Sequence, residues 1–352
     1  MGCENYSVKI TVLAGGVGGA KFLRGLREHL RATLPDGQGG TTAEITAIVN
    51  TGDDLWLTGL RVCPDLDSIM YTLGGANDEE RGWGRHGESE RVSTELTEYG
   101  VGWPWFTLGD LDLGTHITRS HLLREGRTLS EATAHVAARW NLGITLLPMS
   151  DQPVETHVVV AGEGAGDGGA AGGAGAGAER SMHFEEWWVR YRAGLPAVRF
   201  EQRGLEESVA APGVVEAILG GDVVLVAPSN PVVSIGTILT VPGIRSALEN
   251  TAAPIVGVSP IISGAAVRGM AHACLSAIGV ATAADAVGLH YGARASGGLL
   301  DAWLVDESDS GLLPGLAEAG LRVVAVPLWM NSVEHAAALA GAALAEAALL
   351  RA

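Results

Sequence analysis

Lysine is almost missing from this chain: of 352 residues only Lys9 and Lys21 are lysines, and 23 Lys plus Arg face 40 Asp plus Glu, for a formal net charge of −17. Binding a nucleic-acid backbone requires clustered cations, and no such block exists, so a general nucleic-acid surface is excluded. An acidic chain that handles an anionic small molecule then needs local compensation from a metal ion, backbone N–H groups or a few arginines. Cysteine is also scarce. Cys3, Cys63 and Cys274 form neither a CxxC pair nor a paired framework, which argues against zinc and disulfides and for a reduced, cytosolic protein. Long uninterrupted apolar runs are absent too, so no membrane span is expected. Val8 to Leu13 is strand-like where a signal peptide would have its apolar core, and the Ala-rich stretch from Ala336 to Leu350, interrupted by Glu346, reads as a packed helix.

What is present is the composition of a folded enzyme, 47% hydrophobic and 18% charged, with Val, Ile and Leu in short runs bounded by Gly, Pro and Asp. Lys9–Ala14, Gly15–Gly19, Ala20–Leu30 and Ile45–Asn50 read as strand, glycine turn, helix and strand, a βαβ opening that favours a parallel sheet. Further strands are expected at Val223–Ala227, Pro254–Val258, Ala302–Val305 and Val323–Val326. The fold class is therefore α/β: a Rossmann-like, mostly parallel sheet with helices on both faces, formed as one domain over 1–352. Helical spacing at Asp65–Leu73, Asp112–Glu125 and Leu129–Trp140, with a break at Gly126 and Arg127, predicts a helical insertion over the carboxyl edge at about 64–142. The pair Thr156–Val160 and Met182–Trp188 is predicted as strands flanking a Gly/Ala-rich loop, 161–178, whose composition predicts disorder.

Gly15-Gly16-Val17-Gly18-Gly19-Ala20-Lys21 lets backbone N–H groups approach an anion at a helix start, or is a tight structural turn. It is not a Walker A loop, and Lys21 stands where a dinucleotide fingerprint has its third small residue. Asn50, not an acid, occupies the tip of the second strand, which further disfavours a nicotinamide enzyme. Asp53 and Asp54, followed by Asp65 and Asp67, place four carboxylates within fifteen residues. Mg²⁺ beside a substrate phosphate requires such oxygen ligands; the alternative is a helix cap and solvated acids. In LGDLDLGTH, Asp112 and His116 are either active-site groups or a helix cap and a satisfied histidine, with His116 and Arg119 on roughly one helical face. Ala227-Pro228-Ser229-Asn230-Pro231 and Val258-Ser259-Pro260 are strand-end turns where open α/β sheets bind ligands. Arg85, in a Gly-flanked Trp-Gly-Arg loop, is a candidate anion or flavin contact. Trp187 and Trp188 are either a stacking surface or core.

These blocks in this order, AGGVGGAKFLRGL at 14–26, VNTGDD at 49–54, GLRVCPDLDSIMYTLGG at 59–75, RGWG at 81–84, LGDLDLGTH at 108–116, LLPMSD at 146–151, HFEEWWVRYRA at 183–193, APSNPVVSIGTIL at 227–239 and VSPII at 258–262, resemble the 2-phospho-L-lactate transferase (CofD) family, and more narrowly its actinobacterial FbiA branch. The resemblance implies that the ribityl hydroxyl of the deazaflavin Fo attacks the phosphorus bearing a C3 acid in a guanosine diphosphate-linked donor, releasing GMP in coenzyme F(420) biosynthesis. It implies Mg²⁺ at Asp53 with Asp65 or Asp67 close by as further ligands, so the expected metal set is Asp53, Asp65 and Asp67; with the LGDLDLGTH reading added, the catalytic candidates are Asp53, Asp67, Asp112 and His116. Substrate contacts are expected from Gly15, Gly16, Gly18, Gly19, Lys21, Asp53, Arg85, Ser229, Asn230 and Ser259, and a homodimer is expected. Two departures stand out: LGDLDLGTH lacks the basic residue common before its second Asp, and Ser263 replaces a usual Gly. A different class, a nucleotide-sugar-binding regulatory protein of the same fold, would have little use for the aspartate cluster.

Overall fold

The apolar runs become the strands of one seven-stranded sheet in the computed structural model, which describes residues 7–162, 178–267 and 269–351. In chain order these are β1 (Lys9–Ala14), β2 (Glu44–Val49), β3 (Thr145–Pro148), β4 (Val223–Val226), β5 (Ile255–Val258), β6 (Ala302–Val305) and β7 (Arg322–Ala325). Their order across the sheet is β7-β6-β5-β4-β1-β2-β3, with every pairing parallel. Strands covered on both faces require apolar residues at every position, and β4, β5 and β6 are buried throughout. The two-residue period divides the core. Ile10, Val12, Leu225 and Leu304 lie on the side that carries α1 (Gly16–Thr33), whereas Leu13, Val224, Val226 and Trp303 lie on the other, with the helices Ile235–Thr240, Ile244–Asn250 and Ala284–Tyr291, and Trp303 packs on the last of these. This is the Rossmann-like α/β architecture that the run order predicts.

Between β2 and β3 lie α2 (Pro64–Leu73), the short helix Arg91–Glu98, α3 (Asp110–Arg124) and α4 (Leu129–Ala137). The helical stretch is thus as expected, with Gly126 at φ +86 separating α3 from α4 and a Thr128–Glu131 capping box fixing where α4 begins. A second, antiparallel sheet pairs Glu155–Val160 with Arg180–His183 and Ala197–Arg203. The strand expected over Met182–Trp188 stops at His183, and the chain then winds into a wide helical turn, Glu186–Arg190. The turn buries Trp187 against Val158, Met182, Phe184 and Cys274, so Trp187 is core and no stacking surface. Except for its ends, the Gly/Ala-rich loop lies outside the described residues.

The C-terminal helix α5 (Val333–Arg351) is long and apolar enough to cross a membrane by length and composition, yet it lies along α1 with Ala336, Leu339, Ala340, Ala343 and Ala347 buried. The two backbones approach closely at Gly25, where a Cβ would come within 2.3 Å of the Ala336 carbonyl carbon. Gly25→Val should therefore force the helices apart and cost about 1–3 kcal/mol, read as a lower midpoint in thermal unfolding. An unchanged midpoint would show that the helices can separate freely.

Candidate active site at the carboxyl edge

The strand order reverses between β1 and β4, so their carboxyl ends diverge and leave a crevice, where sheets of this kind bind ligands. The two loops that bound it are joined by a pair of hydrogen bonds. Gly15 N–H donates to Ser229 Oγ at 3.0 Å, and the Ser229 hydroxyl lies 2.7 Å from the Gly15 carbonyl. The glycine loop is small because of this approach. A Cβ at Gly18 would lie 2.4 Å from the Pro228 carbonyl oxygen, one at Gly19 2.9 Å from Ser229 Oγ, and one at Gly15 2.6 Å from Asp65 Oδ2. Gly16, at φ +60, supplies the left-handed residue with which the chain turns into α1. Asn230 and Ser259 hold their own turns: Asn230 Oδ1 accepts from Val232 and Val233 N–H, and Ser259 Oγ accepts from Ile261 N–H. Lys21 lies on the first turns of α1 with Nζ 3.4 Å from the Met330 carbonyl.

Asn50, fully buried at the tip of β2, organises the acids. Its Nδ2 donates to Asp65 Oδ2 at 2.9 Å and to Asp53 Oδ2 at 3.3 Å, while its Oδ1 accepts from Gly52 N–H. Asp53 Oδ1 is buried with no hydrogen-bond partner. Glu185, which follows the second sheet's Arg180–His183 strand, brings a third buried carboxyl to the same place. Burial pushes Asp53 well above the usual carboxylate range, reinforced by Asp65, Glu185 and Asp54. Burial likewise raises Asp65 to about 6, against hydrogen bonds from Asn50 and the Gly16 N–H, and Glu185 to about 8, with Asp65 and Asp54 adding repulsion. Burial and mutual repulsion dominate at Asp53 and Glu185, and burial dominates at Asp65. Oxygen-only donors, one of them orphaned, clustered in a buried site are the donor set that a hard divalent cation such as Mg²⁺ fits.

A second group of acids is differently satisfied. The Asp67 carboxylate receives both guanidinium N–H donors of the buried Arg119. Asp112 Oδ1 accepts from Tyr71 Oη–H at 2.6 Å and lies 3.2 Å from His116 Nε2, and His116 Nδ1 lies 3.6 Å from Asp67 Oδ2. Ligand atoms of Asp67, Asp112 and His116 all fall within 4.8 Å of one another, but Arg119 already supplies the positive charge there. Burial alone would raise Asp112; His116 and Tyr71 outweigh it and hold the carboxyl low. Asp54 lies beside Arg61 at 3.6 Å, and burial still lifts it to about 7.

The residues expected to hold Mg²⁺ are thus divided: Asp53 and Asp65 share Asn50, whereas Asp67 joins Asp112 and His116 around Arg119. Arg85 is buried, its guanidinium over the rings of Tyr71 and Trp140 and donating to the Leu111 carbonyl. Asn50, Glu185 and Arg119 are site or supporting residues that the sequence reading did not select. Ser263 sits at φ +50, with its N–H on Asp309 Oδ2 and its hydroxyl on Ser308 Oγ. That left-handed conformation is the physical reason a glycine suits the position.

Sheet and crevice together define a Rossmann-like α/β protein whose strand-order reversal is ringed by carboxylates. The chain belongs to the 2-phospho-L-lactate transferase CofD family, whose model matches residues 10–332, and it is a transferase of that family. It is 53% identical over 337 residues to the phosphoenolpyruvate transferase of Thermobifida fusca, covering 96% of this chain and 97% of that one. It is 50% identical over 345 residues to that of Streptomyces griseus, covering 98% and 100%. Among solved structures, protein BH3568 of Bacillus halodurans superposes with a TM-score of 0.58 at 18% identity, over 96% of this chain and 100% of that one, a likeness of fold.

Proposed function

We propose that the chain transfers the phosphoenolpyruvyl, or alternatively the phospholactyl, moiety of a guanosine diphosphate-activated donor to the ribityl hydroxyl of the deazaflavin Fo, forming (dehydro) coenzyme F(420)-0 and releasing GMP. The enolpyruvyl form is favoured by the names of the relatives at about half identity. The observation that supports the reading is the Asp53–Asn50–Asp65 cluster set against the Gly15–Ser229 closure, carboxylates raised by burial lying beside the start of α1, a helix end suited to a diphosphate.

In this reading the glycine loop and the Ser229 turn orient the diphosphate. Asp53, Asp65 and Glu185 would hold Mg²⁺, which when bound supplies neutralisation of phosphate charge. The acceptor oxygen forms a bond to the phosphorus bearing the C3 acid, the anhydride P–O bond breaks, and GMP leaves with the electron pair. In the same reading the Asp53 carboxylate would accept the proton of the attacking hydroxyl through an oxygen not engaged by the ion. Such a transfer depends on positioning and charge, with little covalent work for the protein.

The test is incubation of the chain with Fo, Mg²⁺ and each donor in turn, followed by mass analysis. The expected result is product and GMP in equal amounts with the enolpyruvyl donor, and loss of both when a chelator removes the divalent ion. Tight nucleotide binding without GMP release from any donor would instead identify a regulatory binder.

A further inference from the structure

Glu185 shares no element with the other two carboxyls of its cluster. Asp53 follows the tip of β2 and Asp65 opens α2, whereas Glu185 arrives from the second sheet, two residues after the strand Arg180–His183. The spacing of the three is therefore set by the contacts that join that sheet to the turn Gly52–Asp54. One such contact is main-chain: Thr156 N–H donates to the Gly52 carbonyl at 2.6 Å. Another is the imidazole of His183. Its Nδ1 accepts from the Glu185 N–H at 3.1 Å, and its Nε2 lies 3.3 Å from the Asp54 carbonyl oxygen. A backbone N–H can only donate and a carbonyl can only accept, so Nδ1 is bare and Nε2 carries the proton. Both ring nitrogens are thus committed, one to each side of the cluster.

The ring is itself held in place. His183 pairs with His157 across the sheet, and the two imidazoles meet edge to face with centroids 5.6 Å apart. His157 Nε2 lies 3.6 Å from Glu155 Oε2, Glu155 Oε1 lies 3.4 Å from Arg61, and Arg61 lies 3.6 Å from the Asp54 carboxylate. This series leaves the acid turn at the Asp54 carbonyl and returns to it at the Asp54 side chain. Phe184, the residue between His183 and Glu185, is buried in the same core as Trp187, so the chain that presents Glu185 is fixed on both sides.

We infer that His183 is a positioning residue of the acid cluster: its imidazole locks Glu185 to the Asp53–Asp54 turn and so sets the spacing of carboxylates that come from two different sheets. The inference rests on the reading above in which Asp53, Asp65 and Glu185 hold a divalent ion. His183 does not ligate in this account, because its two nitrogens are taken by the main chain. Its effect reaches the ion through Glu185, as groups behind the ligands of a metal site generally act.

The experiment is a titration of the full-length protein with Mn²⁺, with and without GDP, in which electron paramagnetic resonance counts the free ion. Wild type, His183→Ala, His183→Gln, Glu185→Gln and the double variant His183→Ala with Glu185→Gln are compared, with thermal unfolding in chelator alongside. His183→Ala should weaken Mn²⁺ by about 10–100-fold. His183→Gln, whose amide can still donate to the Asp54 carbonyl, should recover part of that loss. The double variant should bind no more weakly than Glu185→Gln alone, because both changes remove the same ligand. Wild-type Mn²⁺ affinity in His183→Ala overturns the inference. Penalties that simply add in the double variant also overturn it, since His183 would then act other than through Glu185, and the metal role of the acids would stand. Should His183→Ala not fold, His183→Asn, which keeps only an acceptor for the Glu185 N–H, takes its place beside His183→Gln; wild-type affinity in both overturns the inference. A wild-type protein that retains no Mn²⁺ in either condition overturns the metal reading and the inference together.

Discussion

Asp53→Asn should lower kcat/KM by about 10³-fold or more while leaving the chain folded. The substitution keeps the shape of a buried side chain whose Oδ1 has no partner and whose Oδ2 faces the Asn50 amide. What it removes is charge, the one property that distinguishes this carboxyl as a cation ligand or proton acceptor. Stability should move in the opposite direction. Burial and the neighbouring acids raise Asp53 above its unfolded value, so its ionised form opposes folding from about pH 4 upward. Without divalent ions the variant should therefore melt at the wild-type temperature near pH 4 and above it near pH 8. GMP release measured beside thermal unfolding checks both halves. Undiminished turnover with Mg²⁺ present would remove Asp53 from the chemistry, and a variant that melts lower across the whole range would mean the carboxylate is structural.

The second large effect is expected at Arg119. The residue is 1% exposed, pairs with Asp67 through two guanidinium nitrogens and also reaches the Arg61 carbonyl. Arg119→Met strands a buried carboxylate and should cost about 3–5 kcal/mol, measured by urea unfolding. The double variant Arg119→Met with Asp67→Leu leaves no lone charge behind and should recover much of the loss, since a buried ion pair is often replaceable by apolar groups. A single variant as stable as wild type would contradict the assignment of Arg119 as the group that neutralises Asp67. This network ties α2 to α3 and to the hairpin Leu55–Leu57 with Leu60–Val62, and so supports the helix that presents Asp65.

Much of the sheet is legible because parallel strands write themselves as unbroken apolar runs. Val223–Val226 and Ala302–Val305 can hardly be anything else. Ala197–Arg203 was not legible, since four of its seven residues are charged or amide-bearing and it pairs along only one side, at the rim of a sheet. The strand expected to reach Trp188 failed for a related reason. Aromatic content suggests a strand, but the Phe184 and Trp187 rings reach the same core from a helical turn. At the site, the spacing of Asp53, Asp65 and Asp67 identifies a cluster without revealing its division. Asp65 and Asp67 lie two apart on α2, about 200° around the helix axis, so they face different neighbours. Asn50 stands in the VNTGDD block and reads there as the lack of a ribose-binding acid; its amide proves to be the link between the two carboxylates. Glu185 enters from a sheet remote in sequence, and nothing local marks it.

The central position of β1 has a bearing on biogenesis. β1 is made long before one of its two sheet neighbours, β4, and before the α5 helix that covers α1. Until then the glycine loop lacks Ser229 to close against and α1 exposes the groove at Gly25. The nascent chain must therefore wait with an apolar strand edge uncovered, a state that calls for chaperone protection. Loss of α5 would leave the α1 groove at Gly25 open permanently.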